Sequence, residues 1–109
     1  MSSEELFERI LATPAMFIGA RSPLRLLMFM EGYRYAKQSA GEDLLGDLYR
    51  GFQKWIEARY NIKTAHDWAR IITFMSADEV EAFEKTKELW NEYKSSCGLD
   101  DAKSKIEGE

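Results

Sequence analysis

Four times along this chain a serine or threonine is followed three residues later by an acid, and each pair opens an apolar run: Ser2 with Glu5, Ser39 with Glu42, Thr64 with Asp67, and Ser76 with Glu79. This is the spacing of a capping box. The first side chain accepts a bond from the backbone N–H three residues on, and the acid bonds back. Ser22-Pro23 supplies a fifth start, because proline lacks an N–H that the first helical turn leaves unpaired anyway. A chain punctuated in this way has little choice of architecture. The pattern predicts an all-α fold, a compact bundle of about five helices in a single domain.

The apolar spacings agree with the caps. Leu6, Phe7, Ile10 and Leu11 make one stripe of a helix over about 3–12, ended by Thr13-Pro14 because the residue before proline is pushed out of the helical region. Ala15 to Ala20 reads as an apolar connection too short to be a helix, so Met16, Phe17 and Ile18 should be tucked against the core. A second helix, about 23–38, is apolar almost all round in its first turns and should be central. A third, about 42–60, turns Leu45, Leu48, Tyr49, Phe52, Trp55 and Ile56 inward. Its Gly46 and Gly51 each cost about 1 kcal/mol relative to alanine inside a helix, which points to close approach by a neighbour. Asn61 is a left-handed cap by residue type. A fourth helix, about 65–75, starts at Thr64 and brings Trp68, Ile71, Ile72, Phe74 and Met75, a density that predicts a mostly buried helix, although Ile71 to Phe74 could alternatively form a short strand by β-propensity. A fifth, about 77–95, starts at Ser76. Residues 1–96 then form the helical domain, and 97–109 a polar, flexible tail.

At 109 residues there is room for one domain, and fourteen aromatics with 45% apolar residues suffice for a core. A mean hydropathy of -0.44, no long apolar run, and a start of Met-Ser-Ser-Glu-Glu predict a chain with neither a membrane span nor a signal peptide. The single cysteine, Cys97, fits a reducing cytoplasm. A net charge of -4 argues against nucleic acid, whose binding depends on clustered Lys and Arg, and makes a basic protein the more natural partner.

Groups for catalysis do not converge in the sequence. The one histidine, His66, precedes Asp67, and neighbours on a helix do not face each other. Asp67 is better explained as the capping partner of Thr64. One histidine and one cysteine give no metal-ligand spacing, and no phosphate-binding glycine motif occurs. Catalytic, cofactor and metal residues are therefore assigned to none, and the chain is not expected to be an enzyme. Thr13 to Gly19 resembles the R-P-G-M-Y-I-G segment near the start of the nucleotide-binding domain of type II topoisomerase B subunits. The Asn-bearing helix and glycine-rich lid of that family have no counterpart here, so the segment reads as a buried connection.

Trp55, Trp68 and Trp90 sit at inward positions of separate helices, the pattern of a shared core rather than a ligand cage. Glu42, Asp43 and Asp47 load one helix start, and Asp78, Glu79, Glu81 and Glu84 another. Acids there complement the helix dipole, but together they exceed what capping requires. The excess suggests a surface for a basic partner. Candidate contact residues are Glu42, Asp43, Asp47, Asp78, Glu79 and Glu81, with Tyr49, Tyr60 and Tyr93 as aromatic anchors at the edges of the apolar stripes.

Over about residues 6–93, the order Pro14-x-Met16-Phe17-Ile18-Gly19, Leu24 to Tyr33 with Glu31-Gly32-Tyr33, Phe52-x-x-Trp55, Trp68-Ala69-x-Ile71-Ile72 and an acidic, aromatic last helix resembles the small bacterial immunity proteins of contact-dependent or polymorphic toxin systems. The resemblance implies stoichiometric occlusion of one cognate toxin domain in the cytoplasm. By fold class alone, the chain is also similar to the helical immunity proteins of nuclease colicins, which set acidic helix faces against a basic nuclease. The alternatives are an adaptor docking a partner helix on Met16 to Ile18 or on the second helix, and a small enzyme or ligand-binding bundle with a pocket lined by His66, Tyr33, Arg25 and Glu31.

Overall fold

Ser2 caps the first helix as its spacing predicts: its Oγ accepts the Glu5 N–H at 3.1 Å and starts α1, Ser3–Ala12. The computed structural model describes residues 2–39, 51–64 and 66–107. Over these residues the chain is all-α, with α2 at Pro14–Phe17, α3 at Pro23–Ser39, α4 at Gln53–Tyr60, α5 at Trp68–Phe74 and α6 at Glu79–Glu107. The backbone of α6 thus continues as helix through the polar stretch after Cys97. Ser39 is the last residue of α3, while Glu42, Gly46 and the first half of the predicted third helix that Ser39 is expected to cap lie outside the described residues.

Two caps fall elsewhere than the spacing indicates. The sequence places Thr64 at the start of the fourth helix, but Asp67 is the N-cap of α5, in extended backbone with its Oδ1 accepting the Arg70 N–H at 2.8 Å. Thr64 Oγ1 accepts the His66 N–H at 3.2 Å and shapes the loop before it. At α6 the cap is Asp78, which accepts the Glu81 N–H at 2.8 Å, while the Ser76 hydroxyl donates to the Ile72 carbonyl at 2.7 Å. An ionised carboxylate makes a stronger bond to a backbone N–H than a hydroxyl does, and in both places an aspartate stands where it can take the role.

The apolar connection is also different. Pro14–Phe17 forms one helical turn of its own, with Ile18 N–H bonded to the Pro14 carbonyl at 2.8 Å. Phe17 and Ile18 pack on the core, whereas Met16 is 81% exposed. Gly19 follows in the left-handed region at φ 76°. Ser22 accepts the Arg25 N–H at 3.3 Å, opening α3 at the proline as expected.

The core gathers around one aromatic cluster contributed by four parts of the chain. Phe7 of α1 lies 4.7 Å from Trp90 of α6 and 5.8 Å from Trp68 of α5, centroid to centroid. Phe52, at the entry to α4, is 5.4 Å from Trp68 and 5.2 Å from Trp90. Such pairs contribute about 0.5–1.5 kcal/mol each beyond the area they bury. Trp55 stacks on Phe52 and meets Tyr93 edge-on, so the tryptophans and their neighbours form a core, not a cage. α5 packs on α3, α4 and α6, and α3 packs on α1, α5 and α6. α3 is not enclosed all round, since Leu26, Leu27 and Met30 are buried but Met28 and Tyr35 are exposed.

Gly51 explains its own presence. A Cβ there would collide with the Tyr93 hydroxyl and crowd its ring carbon Cζ at 3.1 Å, so only glycine lets α6 bring Tyr93 against this turn. Asn61 takes the left-handed cap of α4 at φ 54°, and Ile62 N–H closes it on the Glu57 carbonyl at 2.9 Å.

Candidate functional site

The corner between α5 and α6 combines apolar exposure with charge. Phe74 ends α5 with 85% of its surface in solvent, and Met75, next in the chain, and Val80, in the first turn of α6, are exposed at 38% and 49%. Asp78, Glu79 and Glu81, exposed in the same turn, supply carboxylates. The corner is held by specific bonds. Thr73 Oγ1 donates to the Ala69 carbonyl at 2.7 Å, and the Lys85 ammonium reaches back from α6 to the Met75 carbonyl at 2.9 Å. The Thr73 contact is a back-bond within α5, whereas the Lys85 contact satisfies a carbonyl that the end of the helix leaves open and braces the bend after Phe74.

The acids of this corner have partners of their own. Glu81 pairs with Lys85 at 3.3 Å, and Glu84 with Lys87 at 3.4 Å and Arg21 at 3.9 Å. Glu79 accepts from the Ser22 hydroxyl at 3.5 Å, tying the start of α6 to the start of α3. Of the acids that the sequence sets at the start of α6, Glu79, Glu81 and Glu84 are thus engaged in part by Ser22, Lys85, Lys87 and Arg21, and Phe74, expected among the mostly buried residues of its helix, is instead exposed. Only the end of the short helix tells them apart: Trp68, Ile71 and Ile72 occupy the buried side of α5, and Phe74 follows on the other.

Of the remaining candidates, Glu42, Asp43, Asp47 and Tyr49 lie outside the described residues. Tyr60 is half-buried and packs on the core. Tyr93 is not a protruding anchor, because its ring is taken up by Phe52, Trp55 and Trp90, at 5.5, 5.9 and 5.6 Å. Proximity to the edge of an apolar stripe did not separate it from the core.

Two concave regions flank these elements. A pocket of about 410 Å³ is lined by Ile62, Thr64, His66, Arg70, Ile71 and Phe74, between the end of α4 and α5. His66 is thus a lining residue, but its companions are not Tyr33, Arg25 and Glu31. Gln53 fixes the intervening loop from α4: its Nε2 donates to the His66 carbonyl at 3.2 Å and its Oε1 accepts the Trp68 N–H at 2.6 Å. The second region, a shallow groove of about 520 Å³, runs along Phe17, Ile18, Leu24, Arg25, Met28 and Phe29. There the Arg25 guanidinium donates to the Ile18 carbonyl at 2.9 Å, and Phe17 meets Phe29 edge-on at 6.2 Å.

Among the described residues no group of three or more His, Cys, Asp or Glu is placed to hold a metal ion, and no helix is long and apolar enough to cross a membrane. The geometry defines an all-α domain with apolar side chains presented at a rigid corner and along an open groove. No family model matches the chain, and no curated protein or solved structure is significantly similar to it.

Proposed function

We propose that this protein is an immunity protein that binds one cognate toxin domain and blocks it by covering its working surface. Phe74 carries the reading. A large aromatic held 85% exposed at a braced bend, with exposed Met75 and Val80 in the segment that follows, has the form of an interface anchor rather than of a core residue. The carboxylates of Asp78, Glu79 and Glu81 and the chain's charge of -4 would orient a basic partner and raise its association rate. Of the residues that carry the resemblance, Phe52, Trp68, Ala69, Ile71 and Ile72 are buried, so the resemblance bears on the core and not on the contact surface.

Co-purification of the tagged chain at moderate salt, followed by mass spectrometry, tests this. A single stoichiometric basic toxin domain, lost on Phe74→Ala and retained on Met28→Ala, is the expected result. A partner lost on Met28→Ala instead would favour an adaptor that docks a helix in the groove of α2 and α3. The observation behind that second reading is the exposure of Met28, 65%, in the lining of that groove, and of Met16, 81%, next in the chain to Phe17. Recovery of no partner, or of many, would overturn the immunity reading.

A further inference from the structure

We infer that the pocket between α4 and α5 is a binding site for a small carboxylate carrying an aromatic ring or a branched aliphatic group. Its apolar walls are Ile62, Ile71 and Phe74, and its polar side chains are Thr64, His66 and Arg70. A volume of about 410 Å³ falls within the range of about 300–1,000 Å³ in which small-molecule sites occur. It accommodates a ring with a short acidic arm.

The acidic end follows from the donors. Arg70 is a permanent cation, the Thr64 hydroxyl and the His66 imidazole can each donate, and among the described residues no carboxylate lines the pocket, although acids outnumber bases nineteen to fifteen in the chain. Arg70 pairs with Asp67 through Nη1. A guanidinium carries five N–H donors, so Nε and Nη2 remain to receive a second carboxylate. With Asp67 already engaged by Arg70, an amine would find no further acid among the described lining residues, and a neutral ring would leave the donors unanswered.

The site is also formed before any ligand arrives. The left-handed turn at Asn61 sets Ile62, and the two bonds of Gln53 hold the loop from His66 to Trp68. A loop fixed in this way has little freedom left to lose on binding, which favours affinity for a small ligand. This inference does not rest on the toxin-binding proposal, since it concerns the free protein.

Titration of the full, ¹⁵N-labelled chain with phenylacetate, benzyl alcohol and acetate, followed by amide spectra, tests it. Phenylacetate should give saturable shifts at Ile62, His66, Arg70, Ile71 and Phe74, with benzyl alcohol and acetate binding at least about tenfold more weakly. Arg70→Gln should bring phenylacetate to the level of benzyl alcohol without altering the benzyl alcohol titration, and Arg70→Lys should recover part of the difference. Shifts elsewhere in the spectrum would stay small in both variants, which reports that the fold is intact. Absence of saturable shifts at these residues, or equal binding of phenylacetate and benzyl alcohol to the unaltered chain, would overturn the assignment.

Discussion

Two aromatic residues at opposite ends of one short helix meet opposite fates. Trp68 begins α5 with 2% of its surface exposed, ringed by Phe7 and Phe52, and Phe74 ends it with 85% exposed. Burial of an aromatic ring is among the largest stabilising contributions a domain of this size can collect, so Trp68 belongs to the fold. Phe74 contributes almost nothing to it. The largest expected effect therefore comes from Trp68→Ala, which should lower the stability by about 3–5 kcal/mol through lost transfer energy and the cavity left behind. Phe74→Ala should change it by no more than about 0.5 kcal/mol, as surface substitutions do. Urea unfolding of both variants, read as midpoint shifts at unchanged slope, checks the contrast. Comparable losses would mean that Phe74 is packed and would remove the anchor from the proposed interface.

A second test probes how closely the core is fitted at the other end of the cluster. Gly51→Ala gains helix propensity of about 1 kcal/mol. It also forces a methyl group into the Tyr93 hydroxyl. Overpacking of this kind costs about 1–3 kcal/mol, and so close a contact lies at the upper end of that range, so the net effect is a loss of about 1–2 kcal/mol. Tyr93→Phe removes the colliding oxygen, and the double variant should regain most of what Gly51→Ala loses. A double-mutant cycle by chemical unfolding measures that coupling. Additive effects would show that Tyr93 can swing aside and that Gly51 has another purpose.

The sequence made the helices legible because caps and apolar spacing are local. Ser2, Ser22-Pro23 and Asn61 each act through bonds within a few residues, and each was readable from residue type and position. Where two capping residues stood close together, the spacing rule chose the wrong one. Thr64 and Asp67 satisfy the same pattern, and which residue caps depends on where Gln53 of α4 pins the loop. Distance in sequence hid that contact. Phe74 was illegible for a related reason: seven residues complete barely two turns, and an apolar residue at the edge of the stripe faces inward or outward according to the neighbouring helices. Asp67→Ala should cost about 1 kcal/mol as the loss of a true N-cap, and Thr64→Ala clearly less. Thermal unfolding of the two variants separates them, and the reverse order would return the cap to Thr64.

The smallest expected effect concerns the clamp that ties α1 to α6. Glu8 accepts from the Trp90 indole at 3.2 Å and from the Lys94 ammonium. Burial alone would raise its carboxyl, but these two donors and the Lys94 charge outweigh burial and hold it below the ordinary carboxylate value. Lys94 is raised, chiefly by its hydrogen bond to Glu8. The signs define a window. A carboxyl lowered in the folded state stabilises the protein fully above its unfolded value of about 4.3 and loses that contribution as pH falls through the lowered one. An ammonium raised in the folded state stabilises it fully below about 10.4 and loses that contribution only as pH rises through the raised value. The pair therefore acts between the two limits. With 42% and 39% of the Lys94 and Glu8 side chains exposed, solvent screens the attraction, and the contribution is at most about 1 kcal/mol. Lys94→Met should thus be slightly less stable than the unaltered chain at pH 7, and the gap should close as the pH is lowered through the carboxylate range. High salt should narrow it at pH 7, because exposed charges are screened. A gap that stays constant through the acid limb would show that Lys94 acts by packing its stem on α1 and not through Glu8, leaving the Trp90 indole as the only tie between that carboxylate and α6.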